Sequence, residues 1–175
     1  MTIHPSRFKE LPRIETVTVV SPSTLRVRWR GKKSADTVNL IGWIATGGEI
    51  LAPLRDPGMF SRAAVARYGT AVAWDDGDLT IDAVHLKQLA DEQRPFSNSD
   101  VRAWQDKVNI SNNEAADFVG VSLSTWNSYK VKAAIPQAVA IALRAALRDP
   151  LLMQAHLRPR TVGRPPKSSA GASKY

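Results

Sequence analysis

The chain has 175 residues, of which 43% are hydrophobic and 23% are charged, so it can bury one or two modest cores. It contains no cysteine, which excludes disulfide bonds, thiolate zinc sites and cysteine nucleophiles. Its net charge of +8 favours an acidic partner, most often a nucleic acid. The first residues lack the apolar core of a signal peptide, and no apolar run approaches the roughly eighteen residues of a membrane span. We therefore expect a globular, cytoplasmic protein with no membrane contact.

Charge and composition divide the chain into three parts. Residues 1–94 contain thirteen basic and eleven acidic side chains, residues 95–149 contain six and five, and residues 150–175 contain five and none. A polar run with a proline at 91–99 has the composition of a linker. We predict a small α+β domain at 1–93, an all-α domain at 94–157 and a disordered basic tail at 158–175.

Strand and turn signals dominate the first ninety residues. Residues 14–20 are rich in β-branched side chains and residues 25–29 alternate strictly, with Ser21-Pro22-Ser23 between them, which predicts a β-hairpin. Further strands are predicted around 37–40 and 70–74, and a helix over 82–89.

Beyond the linker the pattern predicts helices only. Val101, Trp104 and Val108 recur at three and four residues behind a serine cap, and Pro136 precedes a last helix over 137–147.

The segment between these helices predicts two short helices joined by a tight turn. Ser111 and Glu114 have the spacing of a capping box, and Gly120 suits the left-handed residue that ends a helix. A serine then caps a second helix over 123–130, in which Trp126 and Tyr129 share one face. We expect these two aromatic side chains to be core.

This segment resembles the Xre/Cro-like helix-turn-helix family, through Glu114-Ala115-Ala116, Gly120-Val121-Ser122 and the following Thr125-Trp126 and Tyr129. The resemblance covers about residues 100–147 and implies a lambda-repressor-like domain. It also implies a recognition helix at 122–130 that lies in the major groove of double-stranded DNA. The residues implied to bind DNA are Ser122, Leu123, Ser124, Thr125, Asn127, Ser128, Lys130 and Lys132.

The basic tail supplies further candidates for DNA binding. Gly163-Arg164-Pro165 resembles the AT-hook, which places an arginine in the narrow minor groove of A·T-rich DNA. A basic tail that acts only as a solubilising or non-specific segment is the alternative. Contact with up to four phosphates would steepen the salt dependence of binding by a slope of roughly 3 to 4. The tail residues predicted to make these contacts are Arg158, Arg160, Arg164 and Lys167.

The first domain resembles a small bacterial family, domain of unknown function 2442, over about residues 12–92. The resemblance rests on Pro53-Leu54-Arg55-Asp56-Pro57 and on a segment with Val72, Trp74 and Gly77. It implies an α+β fold without established chemistry. Relatives beside toxin-like partners also imply a regulatory or antitoxin-like role.

Candidate catalytic and metal sites are weak. Arg55 with Asp56 has the residue types for acid–base work, and Asp75, Asp76 and Asp78 have those for a metal. The aspartate run is more typical of a turn, and the three histidines lack zinc spacing. We predict no catalysis, no metal and no cofactor.

These observations favour a sequence-selective transcriptional regulator that acts as a homodimer, because one short recognition helix reads few bases. Its first domain would serve in dimerisation, sensing or partner binding. The alternative is an antitoxin-like interaction module that neutralises a toxin-like partner protein.

Overall fold

The computed structural model describes residues 11–160, and in that range the chain forms two three-stranded sheets and nine α-helices. The predicted α+β class is confirmed. The chain divides between Arg94 and Pro95 into two compact units, here called the N-terminal and the C-terminal unit. Across 11–160, every helix is too short or too polar to cross a membrane.

The first sheet of the N-terminal unit is an antiparallel meander. Strict alternation in its central strand buries Leu25, Val27 and Trp29 and leaves Arg26 and Arg28 exposed, because successive side chains point to opposite faces. The hairpin turn contains Ser23 with φ +59°. The strands are β1 (Ile14–Ser21), β2 (Thr24–Trp29) and β3 (Ala35–Asn39), in the order β1-β2-β3.

The second sheet is built from shorter antiparallel strands. Its central strand, at residues 71–74, corresponds to the strand predicted at 70–74, and all four of its residues are buried. The two flanking strands were not predicted, because three or four residues carry too little periodicity. The strands are β4 (Ala64–Ala66), β5 (Ala71–Trp74) and β6 (Leu79–Asp82), in the order β4-β5-β6.

Helices between and after the two sheets complete the first core. The predicted helix over 82–89 runs from Ala83 to Gln93, and the Asp82 carboxylate caps it by accepting from the His85 amide at 2.9 Å. Three short helices between the sheets were not predicted. The helices are α1 (Ile41–Thr46), α2 (Gly48–Leu51), α3 (Pro57–Phe60) and α4 (Ala83–Gln93).

Side chains from both sheets and from the helices meet in one hydrophobic core. Two of its aromatic side chains, Phe60 and Trp74, are in contact, with ring centroids 5.7 Å apart. The Trp74 indole also donates to the Phe60 carbonyl oxygen at 3.0 Å, so its polar atom is satisfied inside the core. Ile14, Leu25 and Leu86 complete the packing.

Over residues 95–160 the regular elements of the C-terminal unit are all helices, which pack around a second core centred on Trp104 and Trp126. Their rings meet edge to face, 5.9 Å apart. Ser97 caps the first helix in a capping box with Asp100, and an unpredicted short helix follows the last predicted one. The helices are α5 (Asn98–Val108), α6 (Asn112–Val119), α7 (Leu123–Val131), α8 (Gln137–Arg148) and α9 (Pro150–His156).

Gly69 lies between β4 and β5, close to the backbone of β1. It has φ +86°, and a Cβ at this position would lie 2.4 Å from the Ile14 carbonyl oxygen. Gly31 has φ +75° but open space around a Cβ. We expect Gly69→Ala to lower the free energy of unfolding by about 2 to 5 kcal/mol, since strain and overlap add, and Gly31→Ala by about 1 to 2 kcal/mol. Urea unfolding followed by circular dichroism measures both, and equal losses would contradict a tight backbone contact.

Candidate nucleic-acid interface

Local hydrogen bonds fix the turn between α6 and α7. The Ser111 hydroxyl accepts from the Glu114 amide at 3.3 Å, and the Glu114 carboxylate accepts from the Ser111 amide at 2.8 Å. At the other end of α6, Gly120 is left-handed with φ +72°, and the Val121 amide donates to the Ala116 carbonyl oxygen at 2.9 Å. The predicted capping box and glycine stop thus both form.

The same capping bonds stabilise the ionised form of Glu114. The Ser111 hydroxyl, then the Ser111 amide and the Arg160 amide, hold the pKa of the Glu114 carboxyl below its ordinary value. Because the pKa of Glu114 is lowered in the folded state, these hydrogen bonds stabilise the fold at pH values above the ordinary pKa. Their contribution to the free energy of unfolding is lost as the pH falls through the lowered pKa.

A buried amide positions α7 against the two preceding helices. The Gln105 side chain of α5 is 8% exposed, and its Oε1 accepts from the Trp126 indole at 3.0 Å. Its Nε2 donates to the Ile110 carbonyl oxygen at 2.9 Å and to Asn112 Oδ1 at 3.0 Å. One side chain therefore joins α5, the loop before α6, the first turn of α6 and the middle of α7.

The carboxyl end of α7 is held by α5 as well. The Asn98 side-chain amide donates to the Tyr129 and Ala133 carbonyl oxygens at 2.7 and 2.8 Å. The Arg102 guanidinium donates to the Lys130 carbonyl oxygen. These donors satisfy carbonyl groups that have no partner within the helix itself, and they suit the negative end of the helix dipole.

With Trp126 and Tyr129 buried as predicted, α7 presents a mostly uncharged outer face. Ser124 and Asn127 are exposed, Ser128 is half-buried, and within residues 11–160 their side chains make no hydrogen bond. Leu123 and Val131 lie four residues on either side of Asn127 and are 41% and 72% exposed. The face thus offers free hydrogen-bonding groups between two aliphatic side chains.

The remaining polar residues predicted in this segment have local partners. The Ser122 hydroxyl accepts from the Thr125 amide at 3.1 Å and lies 2.8 Å from the Thr125 hydroxyl, so both act in capping α7. The Lys130 amine donates to Asn112 Oδ1 at 2.8 Å, while the Lys132 side chain is exposed. Lys132 is therefore the more accessible of the two cations.

The two described arginines of the predicted tail are also engaged within the C-terminal unit. The Arg158 guanidinium donates to the Ala155 and Leu157 carbonyl oxygens at 3.0 and 3.1 Å, at the end of α9. The Arg160 guanidinium donates twice to Asp117 Oδ2, at 2.9 and 2.7 Å. Its amide donates to Glu114 Oε1 at 3.1 Å. The Arg160 guanidinium thus neutralises the Asp117 carboxylate on α6.

The other two tail residues predicted to bind DNA, Arg164 and Lys167, lie outside the described residues, as does the AT-hook-like Gly163-Arg164-Pro165. The DNA-binding assignment of all these positions remains a prediction.

Sequence reasoning did not identify the residues that hold α7 in place. Gln105 lies four residues after Val101 and three before Val108, on the apolar stripe of α5. A polar residue at such a core position is the available signal, because burial demands hydrogen-bond partners. Asn98 and Arg102 give no comparable signal, since their partners are carbonyl groups about thirty residues away.

The aspartates weighed as a catalytic or metal site have structural positions. Asp56 caps α3 by accepting from the Met59 amide at 2.7 Å. Asp75 and Asp76 form a left-handed turn with Gly77, with φ values of +48° and +54°. Asp56 thus serves as a helix cap, and Asp75 and Asp76 serve in a turn.

Comparison with known proteins gives limited information. No protein-family model matches the chain, and no curated protein matches it. Among solved structures, it is similar to a crystal structure of a "putative DNA binding protein" from Nitrosomonas europaea. The identity is 24% over 86% of this chain and 94% of that chain, with a TM-score of 0.43. A likeness at this level carries no argument about function, and both family resemblances stay hypotheses.

The Gln105 network gives a direct test of how α7 is held. We expect Gln105→Leu to lower the free energy of unfolding of the C-terminal unit by about 2 to 4 kcal/mol, because the buried Trp126 indole loses its acceptor and the Ile110 carbonyl oxygen loses a donor. The matched control is Gln154→Leu, at an exposed position of α9. It should lower the free energy of unfolding by about 0.5 kcal/mol or less. Urea unfolding followed by tryptophan fluorescence measures both. An unchanged stability of Gln105→Leu would exclude the network as the element that holds α7.

Proposed function

We propose that the protein is a sequence-selective, DNA-binding transcriptional regulator, without catalytic activity. In this proposal α7 enters the major groove, and Asn127 with Ser124 and Ser128 contacts base edges. A homodimer presents two such helices, because one short helix reads too few bases for selectivity. The N-terminal unit serves in dimerisation, sensing or partner binding.

The observation that carries the proposal is the free amide of Asn127 at the centre of the outer face of α7. An asparagine side chain pairs with both the N6 and N7 groups of adenine, and serine pairs with any base. The groups on this face are unpaired within residues 11–160, so binding DNA breaks no internal hydrogen bond there. Their backbone is fixed through Gln105, Asn98 and Arg102, which limits the entropy lost on binding.

We further propose that Arg160 acts as a counter-charge for DNA binding. The first helix of a helix-turn-helix crosses the DNA backbone, so carboxylates on α6 would repel phosphates. The Arg160 guanidinium pairs with Asp117 of that helix, while the Arg160 backbone amide donates to Glu114. The pair is half-exposed and contributes about 0 to 1 kcal/mol to stability, yet it removes a repulsive charge where phosphates would pass.

A second candidate function is an antitoxin-like interaction module. The observation that favours it is the exposure of Leu123 and Val131 on the same face of α7. Exposed aliphatic side chains at a spacing of four residues are typical of a helix that docks in an apolar groove. In this case Leu123→Ser with Val131→Ser would abolish binding of the partner protein.

The recognition-helix proposal predicts the effect of Asn127→Ala combined with Ser128→Ala. We expect selective binding to fall by about 10- to 100-fold relative to random DNA, because base contacts worth about 1 to 3 kcal/mol are lost. Non-selective binding should change little. The measurement is selection of bound fragments from the organism's own genome at physiological salt, followed by titration of the recovered site.

The matched control is Gln137→Ala combined with Gln154→Ala, which removes two exposed amides from α8 and α9. This control should recover the same motif as the unchanged protein. A motif that persists in the α7 variant would disprove the assignment of α7. Recovery of random or A·T-rich DNA by all three proteins would favour the interaction module.

The counter-charge proposal predicts that the effects of substituting Arg160 and Asp117 on DNA binding are not additive. We expect Arg160→Ala to weaken DNA binding about threefold at roughly 0.1 M salt, where screening acts over about 10 Å. Arg160→Ala with Asp117→Asn should bind as tightly as Asp117→Asn alone, because the carboxylate that pairs with the Arg160 guanidinium is then already removed. Fluorescence anisotropy with the selected site measures all four proteins. An equal loss from Arg160→Ala in both backgrounds would instead mean that Arg160 contacts a phosphate itself.

A further inference from the structure

We infer that the N-terminal unit carries a binding site for a small organic anion with an apolar body, its head group a carboxylate or a phosphate. The site is a cavity of about 660 Å³ between the start of β1, the turn after β2 and helix α4. This volume is in the range of small-molecule pockets. The inference does not depend on DNA binding.

Charge in the cavity wall favours an anion. Four cationic side chains line it, Arg13, Arg30, Lys32 and Lys87, against the single carboxylate of Asp91. Lys87 forms a salt bridge with Asp91, so this carboxylate is already paired.

The other three cations are available. Among residues 11–160 no carboxylate lies within ion-pair distance of Arg13, Arg30 or Lys32. The internal contact of Arg30 is a long one, 3.5 Å to the Tyr68 carbonyl oxygen. A bound anion would therefore gain charge-assisted hydrogen bonds without breaking an ion pair.

Backbone hydrogen bonds fix the main chain that carries these cations. The Arg30 amide donates to the Arg13 carbonyl oxygen at 2.7 Å, which ties the start of β1 to the end of β2. The Lys32 amide donates to the Trp29 carbonyl oxygen at 3.0 Å, and the left-handed Gly31 closes this turn. A site with a fixed backbone loses little entropy when a ligand binds.

Apart from Gln88, the rest of the wall is largely apolar. Leu11 and Val84 line the cavity while 63% and 38% exposed, and Trp29, which is 4% exposed, also lines it. The Lys87 amine lies 5.8 Å from the centroid of that ring. Apolar side chains beside three cations that lack a carboxylate partner among residues 11–160 suit a ligand with an apolar body and an anionic head, rather than a bare inorganic ion.

The test uses the full chain and four probes: phenyl phosphate, benzoate, inorganic phosphate and the neutral benzyl alcohol. Binding is followed by the indole NMR signal of Trp29 and by calorimetry. We expect phenyl phosphate or benzoate, or both, to shift the Trp29 signal and to saturate below about 10 mM, and the other two probes to bind at least about tenfold more weakly. The stronger of the two aromatic anions identifies the preferred head group.

We expect Arg13→Ala combined with Lys32→Ala to weaken binding of the tighter aromatic anion by at least about tenfold, because two charged donors are lost. The matched control, Arg26→Ala with Arg55→Ala, removes two exposed arginines outside the cavity and should leave binding unchanged. Val84→Asn should reduce the preference for the aromatic anion over inorganic phosphate. The inference is overturned if no aromatic anion saturates, if benzyl alcohol binds equally well, or if the control variant loses as much as the cavity variant.

Discussion

The buried amide of Gln105 determines which face of α7 is turned to solvent. It uses both kinds of hydrogen-bonding group, with its carbonyl oxygen on the Trp126 indole and its amine on the loop before α6 and on Asn112. An amide in a core is costly unless its groups are paired, so a rotated α7 would leave both the Trp126 indole and the Gln105 carbonyl oxygen unsatisfied. Aromatic packing alone would tolerate a small rotation; the directional hydrogen bonds do not. The outward position of Asn127 thus follows from a polar contact on the opposite side of the helix.

Several basic side chains between residues 95 and 160 are engaged in contacts within the C-terminal unit. Lys130 binds Asn112, Arg158 binds the end of α9, and Arg160 covers Asp117. The outer face of α7 is left nearly neutral. A neutral face with hydrogen-bonding groups gives selectivity with little non-specific attraction, because phosphate contacts supply most of the latter. Under the proposed function, affinity must then come from elsewhere, and Lys132 is the exposed cation closest in sequence to α7.

The parts of this fold that depend on short-range signals could be predicted from the sequence. The capping box of Ser111 and Glu114, the stop at Gly120 and the hairpin around Ser23 each involve residues a few positions apart. What could not be predicted depends on partners far along the chain. The strand Ala64–Ala66 exists only through pairing with β5, and Arg160 meets a carboxylate 43 residues earlier. The composition of the tail therefore suggested free cations where the fold provides a partner.

The two functions weighed for α7 use the same face but make different demands on Asn127. A protein groove that covers Leu123 and Val131 must also bury the amide between them, at a cost of about 1 to 3 kcal/mol unless it supplies matching groups. The edge of adenine in the major groove has a donor and an acceptor at the spacing of that amide, and a neighbouring thymine offers a methyl group to an aliphatic side chain. One ligand thus satisfies both the polar and the apolar parts of the face. This match is why the exposed aliphatic residues, which first suggest a protein partner, are also compatible with DNA.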